Sequence, residues 1–461
     1  MPKVALTTLG CKVNQYETQK ILESFEARGF EIVPFDSPAD VYVINTCSVT
    51  QSAEAKSRQT VRRAARQNPN AIVVMTGCYA QFTLRRGERV AEAHLVVPNP
   101  DKLHTVDRLL ENFPELAEQL RTDALTSSPS KIFPLGHPSG SEEKSRPTPG
   151  SMDDEPIPNA EPRPLKRTRA VLKIQDGCNV FCSFCSIPYT RPVMRSLPYQ
   201  EVLAEAQALV AHGFREIVLT GVLIGDYGEH SGSGGPDLPT LCAMLSEIEG
   251  LERIRISSIE PTQVSDALIE QLATNPKMCP HLHIPLQSGD SRVLRTMNRP
   301  YDQAFYLDLC RRLRERIPHL AISTDIMVGF PGEDEEAFEN TCRVVETVEF
   351  CRAHLFRYSP RPGTPAEAMA EQVPEHVKAE RAQRLQAVCR AVQLRYATRF
   401  IGQTEYVRVE TRSKLSGLLT GTSDHYLQVE FTGSPTLVGQ LVPVRIQSVS
   451  PEGILGECVT R

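Results

Sequence analysis

The chain has 461 residues, of which 40% are hydrophobic and 23% charged, and 51 basic against 56 acidic side chains give a formal net charge of −5. That length exceeds one hydrophobic core and implies about three domains. No apolar run approaches the roughly 18 residues of a membrane span and no secretory signal opens the chain, so a reducing cytoplasm is expected, in which an odd count of 13 cysteines reads as thiols or metal ligands rather than disulfides.

From the start, short apolar runs alternate with amphipathic stretches: VALTTLG then NQYETQKILESFEARG, VYVINTC then SAEAKSRQTVRRAARQ, AIVVMTGC, and HLVVPN. This alternation predicts βαβ units and a parallel α/β domain over residues 1–118. Three of its strands run into a cysteine, Cys11, Cys47 and Cys78. Loops beyond the carboxyl ends of parallel strands converge, so three thiols distant in sequence are candidates to meet. Residues 119–164 are rich in Pro, Ser, Gly and charge and read as a flexible linker. Over residues 165–397 six strand candidates follow, AVLKIQ, EIVLTGV, RIRISSI, HLHIPLQ, AISTDIMVGF and AHLFRYS, with helical patterns between them. Six βα units describe an incomplete α/β barrel whose function is expected at the strand C-terminal ends. Residues 398–461 switch to short β patterns that suit a small β-barrel of the kind that often binds oligonucleotides.

The first barrel strand leads into DGCNVFCSFCSIP, which carries Cys178, Cys182 and Cys185. Zinc frameworks usually pair C-x-x-C units, and the next cysteine, Cys242, lies two elements further on. Three closely spaced thiolates instead leave one iron of a four-iron cluster without a protein ligand. The triplet in this context resembles the radical S-adenosylmethionine enzymes, with Phe184 before the third cysteine. GCKVNQYET around Cys11, INTCSVT around Cys47 and TGCYAQ around Cys78, with HIPLQSGD, TDIMVGFPGE and FRYSPRPGTPA later, resemble the methylthiotransferases over essentially the whole chain except the linker. The β-rich tail is similar to that family's TRAM RNA-binding domain. KVNQYE after the first cysteine looks most like the branch that methylthiolates N6-threonylcarbamoyladenosine beside the tRNA anticodon; the isopentenyladenosine and ribosomal-protein aspartate branches are the alternatives, and a noncatalytic iron–sulfur RNA-binding sensor is the remote one.

The resemblance implies two [4Fe-4S] clusters, one on Cys11, Cys47 and Cys78 and one on Cys178, Cys182 and Cys185. It further implies S-adenosylmethionine, a tRNA substrate and an electron donor such as a flavodoxin or ferredoxin. Thr220, Gly221, Ser257, Glu260, Gln287, Ser288 and Asp325, at barrel strand ends or in the fifth strand, are candidates to hold S-adenosylmethionine, against a bland reading as turn and capping residues. GFPGE at 329–333 lacks the Lys-Ser/Thr ending of a phosphate loop and reads as a turn. Arg191, Arg195, Arg295 and Arg299 are candidates for substrate or phosphate contact. RNA binding is further expected from basic groups at Lys56, Arg58, Arg62, Arg63 and Arg66, at Arg85, Arg86 and Arg89, and at Arg311, Arg312, Arg314 and Arg316, and from Tyr426 and Phe431 in the tail, though aromatics in a β module are more often core. The sequence departs from the family pattern at Pro192, where glycine is usual after the arginine, and at Leu223, where asparagine is common.

Overall fold

The structure, a computed structural model, describes residues 1–126, 168–229, 234–413 and 416–459. The first unit is a five-stranded parallel sheet. Its spatial order is Glu31–Val33, Lys3–Thr8, Val41–Thr46, Ile72–Gly77 and Leu95–Val97. The strand Val41–Thr46 is buried throughout because both faces are covered: Val41 and Val43 pack with Ile21, Phe25 and Leu109, while Tyr42 and Ile44 pack with Val61 and Ala64. Such double burial is what a run of unbroken apolar residues encodes. The strand Glu31–Val33 was not among the sequence-derived elements. Only three residues long, it lacks a readable period.

The helix Pro114–Thr126 carries regular structure past residue 118, into the segment expected as linker. Residues 127–167 of that segment lie outside the described residues.

All six expected barrel strands are present. Ala170–Lys173, Glu216–Thr220 and Arg253–Ile256 form one parallel sheet, and His281–His283, Ala321–Val328 and Arg352–Arg357 form the other. A parallel bridge between Ser258 and His283 joins the two into an open arc. Alternation along these strands is strict. Leu172, Ile217, Leu219, Ile254, Ile256, Ile322 and Ile326 belong to the core shared with the outer helices. Their neighbours point into the lumen, and these are mostly polar: Lys173, Thr220, Arg255, Ser257, His283 and Asp325. A packed barrel core would have placed branched apolar residues there.

The tail is a closed five-stranded barrel built from Thr404–Arg412, Leu419–Ser423, Gln428–Thr432, Gly453–Cys458 and Leu441–Ser450 in spatial order. It docks beneath the large barrel. Arg255 donates to the carbonyls of Ser423 and Asp424, and Tyr426 stacks on His281 with ring centroids 4.1 Å apart. Phe431 is 1% exposed inside the small barrel. Of the two readings of these aromatics, stacking platform or core, Phe431 takes the second and fills a core, while Tyr426 sits at a domain interface against His281.

Candidate active site

Cys11, Cys47 and Cys78 follow three strands that are neighbours in the N-terminal sheet. Cys11 caps the helix Lys12–Ala27 and Cys78 opens the helix Cys78–Arg85. Helix N-termini favour negative charge, which suits thiolates. Burial raises the Cys11 and Cys47 thiols, and neighbouring sulfurs add to it: Cys78 acts on Cys11, and Cys78 and Cys11 act on Cys47, which reaches about 11. Gly10 and Gly77 stand before two of them with φ of 97° and 101°. A Cβ on Gly10 would lie 2.6 Å from the Cys47 sulfur, so glycine makes room for the triplet.

Asn14 organises these loops. Fully buried, it donates from Nδ2 to the carbonyls of Leu9 and Thr46, both at 2.9 Å, and so pins the chain ahead of Cys11 and Cys47. One helical turn on, Glu17 accepts from Lys102 at 2.6 Å, from Lys173 at 2.7 Å and from both terminal nitrogens of Arg191 at 2.8 Å. These cations hold the Glu17 carboxyl well below the usual glutamate range despite burial, which opposes them. Lys173 ends the first barrel strand and Arg191 closes the second cysteine loop, so the network ties that loop to the sheet. Arg191 is thereby used internally and is not available to phosphate. Glu17 closes the KVNQYE stretch singled out from the sequence, but nothing in that pattern showed that its carboxylate would gather three cations from distant parts of the chain.

The loop of Cys178, Cys182 and Cys185 is closed at its neck by antiparallel pairing of Gln175–Asp176 with Arg195–Ser196. Burial raises Cys178 to about 11 and Cys185 to about 12. Asn99 bridges the two triplets: its Nδ2 lies 3.8 Å from the Cys78 sulfur and donates at 2.9 Å to the carbonyl of Thr190. Arg361 does so electrostatically. Its guanidinium feels the thiols of both Cys47 and Cys185, pairs with Glu54 at 2.8 Å and with the Ser48 carbonyl, and leaves Nη2 buried without a partner among the described residues.

The donor set fits iron–sulfur ligation. No cysteine is in a disulfide, and hydrogen-bond donors aim at the sulfurs: Arg299 Nη1 at Cys182 (3.1 Å), Ile187 N at Cys185 (3.4 Å) and Val49 N at Cys47 (3.5 Å). Neutral thiols require no such donors, whereas cluster thiolates are tuned by them.

The other sequence-derived candidates divide. Thr220 and Ser257 share a hydrogen bond at 3.2 Å on the lumen wall, and Glu260 pairs with Arg299 beside Cys182. Gln287 takes a left-handed backbone with φ of 64° next to the fifth strand, and Asp325 lies 3.4 Å from His283 in the lumen. Ser288 is fully buried and its hydroxyl accepts from the Asp290 amide, which is turn chemistry; Gly221 packs against Gln175, whose side chain already accepts the amides of Val222 and Leu223. GFPGE is a turn closed by Glu333 on the Gly329 amide. Arg195 and Arg295 are exposed, so both remain free for phosphate. Among the basic groups, Arg311, Arg312 and Arg316 are paired with Asp308, Glu315, Asp266 and Glu270, and Arg314 caps carbonyls, so this group carries no free field.

Residues 172–345 match the model of the radical SAM superfamily, and residues 3–97 match a model described as uncharacterized protein family UPF0004. The threonylcarbamoyladenosine tRNA methylthiotransferase of Bacillus subtilis is 39% identical over 97% of this chain and 94% of its own. The chain belongs to the methylthiotransferase family. A second methylthiotransferase of the same name, from Thermotoga maritima, is 36% identical over 99% of this chain and 96% of its own. A tRNA-2-methylthio-N(6)-dimethylallyladenosine synthase from Akkermansia muciniphila is 33% identical over 97% and 96%. Among solved structures, the radical S-adenosylmethionine methyltransferase TsrM from Kitasatospora setae superposes with a TM-score of 0.51 at 15% identity, over 80% of this chain and 75% of that one. The likeness to TsrM is one of fold. Among the described residues, no helix of this methylthiotransferase is long and apolar enough to cross a membrane.

Proposed function

We propose that this enzyme replaces the hydrogen at C2 of N6-threonylcarbamoyladenosine in tRNA with a methylthio group. The single observation that carries the reading is the juxtaposition of two cysteine triplets, linked by Asn99 and Arg361, at one end of an open α/β barrel. Relatives named for that nucleoside support the substrate. Cys11, Cys47 and Cys78 would hold one [4Fe-4S] cluster, and Cys178, Cys182 and Cys185 the other. When bound, the clusters and S-adenosylmethionine supply the electron, the radical source and the methylated sulfur.

The chain's own residues supply the setting. Arg299, held by Glu260 and Tyr301, donates to Cys182 and keeps its negative charge compensated. Thr220, Ser257, Gln287 and Asp325 offer hydrogen bonds from the lumen side to S-adenosylmethionine. Asn14, Glu17 and Arg191 fix the distance between the two sets by locking the sheet onto the barrel, and the buried setting of Cys47, Cys78, Cys178 and Cys182 excludes water from a radical reaction. An external reductant such as a flavodoxin or ferredoxin and a cytoplasmic location follow from the same reading. So does a division into sheet domain, linker, barrel and small β-barrel near residues 1–118, 119–164, 165–397 and 398–461.

Mass spectrometry of tRNA nucleosides from cells with and without the gene tests this. Loss of 2-methylthio-N6-threonylcarbamoyladenosine with accumulation of its unthiolated precursor is expected. The second reading, dimethylallyladenosine, rests on relatives such as the Akkermansia synthase; loss of the methylthiolated dimethylallyl nucleoside instead would establish it.

A further inference from the structure

The lumen holds a feature that the cysteine chemistry does not use. A cavity of ≈ 350 Å³ is lined by Lys12 and Gln15 at the start of the first helix, by Val218 and Arg255 on barrel strands, and by Glu410 and Tyr426 of the small barrel. Its volume is at the lower end for ligand pockets and suits a side group of amino-acid size. Cations line it, and all but one are balanced. Arg169 pairs with Glu410 at 2.8 Å and Arg255 with Glu216 at 3.2 Å. The Lys12 ammonium has no hydrogen bond or ion pair among the described residues, and it shares the cavity wall with the guanidiniums of Arg169 and Arg255. An enclosed ammonium facing two other cations is unfavourable on its own and becomes favourable when an anion joins it.

Lys12 directly follows Cys11. In adenine, C2 and the carbon bearing N6 flank the same ring nitrogen. A base held with C2 at the cysteine triplets therefore carries its N6 substituent close by, toward the lumen. We propose that Lys12 is a specificity-determining residue that binds the carboxylate of the threonylcarbamoyl group, with Arg169 and Arg255 adding to the attracting field. The inference rests on the threonylcarbamoyladenosine reading above. A dimethylallyl group has no charge and would leave the ammonium unpaired, so the same residue rejects it.

The test uses full-length, cluster-loaded enzyme without reductant and anticodon stem-loop RNAs carrying threonylcarbamoyladenosine, its neutral methyl ester, or dimethylallyladenosine. Wild type should bind the acid roughly tenfold to a hundredfold more tightly than the ester, the range of a charge-assisted hydrogen bond. Lys12→Met should bring that ratio to about one, and Lys12→Arg should keep most of it. Iron content and melting temperature of each variant separate loss of the contact from loss of the fold. An acid preference that survives in Lys12→Met would overturn this inference alone. Wild-type preference for the dimethylallyl RNA would overturn the substrate reading, and this one with it.

Discussion

Cys178, Cys182 and Cys185 share one loop, whereas Cys11, Cys47 and Cys78 are gathered from three strands of a sheet. The first set depends on one neck of antiparallel pairing and on Arg299. The second depends on strand register, on glycine at position 10 and on the Asn14 clamp. A local triplet survives small shifts of the surrounding fold; a dispersed one is only as good as its sheet.

The largest expected contrast comes from removing one ligand of each set. Cys182→Ala and Cys47→Ala should each lose about half of the iron, since each cluster has its own three cysteines. Only Cys182→Ala should abolish reductive cleavage of S-adenosylmethionine, read as 5′-deoxyadenosine, while both abolish the methylthiolated product. Equal loss of cleavage in the two variants would mean that the triplets do not act separately.

Next in size is the tie between the regions. Glu17→Gln leaves Lys102, Lys173 and Arg191 without their shared carboxylate and should destabilise the fold by about 3–5 kcal/mol in denaturant unfolding. The depressed carboxyl of Glu17 also sets a pH dependence. Its contribution is fully present above the usual glutamate value of 4.5 and is lost as pH falls through the lower value of the folded protein. Wild type should therefore lose stability more steeply than Glu17→Gln between pH 4.5 and the acid limit.

Gly10→Ala should act more narrowly. Its methyl group meets the Cys47 sulfur, so a loss of about 1–3 kcal/mol is expected, with iron depleted from the sheet set and the loop set intact. Electron paramagnetic resonance of the reduced protein reads this split. The smallest effect concerns RNA. Arg311→Gln should change tRNA affinity by less than about twofold because its charge is already paired, whereas Lys56→Gln with Arg66→Gln should weaken binding and lower the salt slope by about two.

The six barrel strands, the sheet and the small barrel were legible because their apolar periods are unambiguous, and both triplets were legible because cysteines ended strands or crowded one loop. What the sequence could not display was partnership. Arg191 and Arg311 look alike as letters, yet one is locked between Glu17 and Asp176 and the other pairs with acids on its own helix. Tyr426 looked available to a base until the docking of the small barrel put His281 against it. Arg361, inside FRYSPRPGTPA, gave no sign that it sits between two sets of thiols contributed by distant parts of the chain. These are all consequences of tertiary contact, which local pattern does not encode.

The turn carrying Tyr426 has a consequence in time. It follows the barrel in chain order, so during synthesis the barrel strands emerge before the piece that closes them from below. The lumen is thus open at its base while the cysteine loops are already made, and it is shut by a domain synthesised after them.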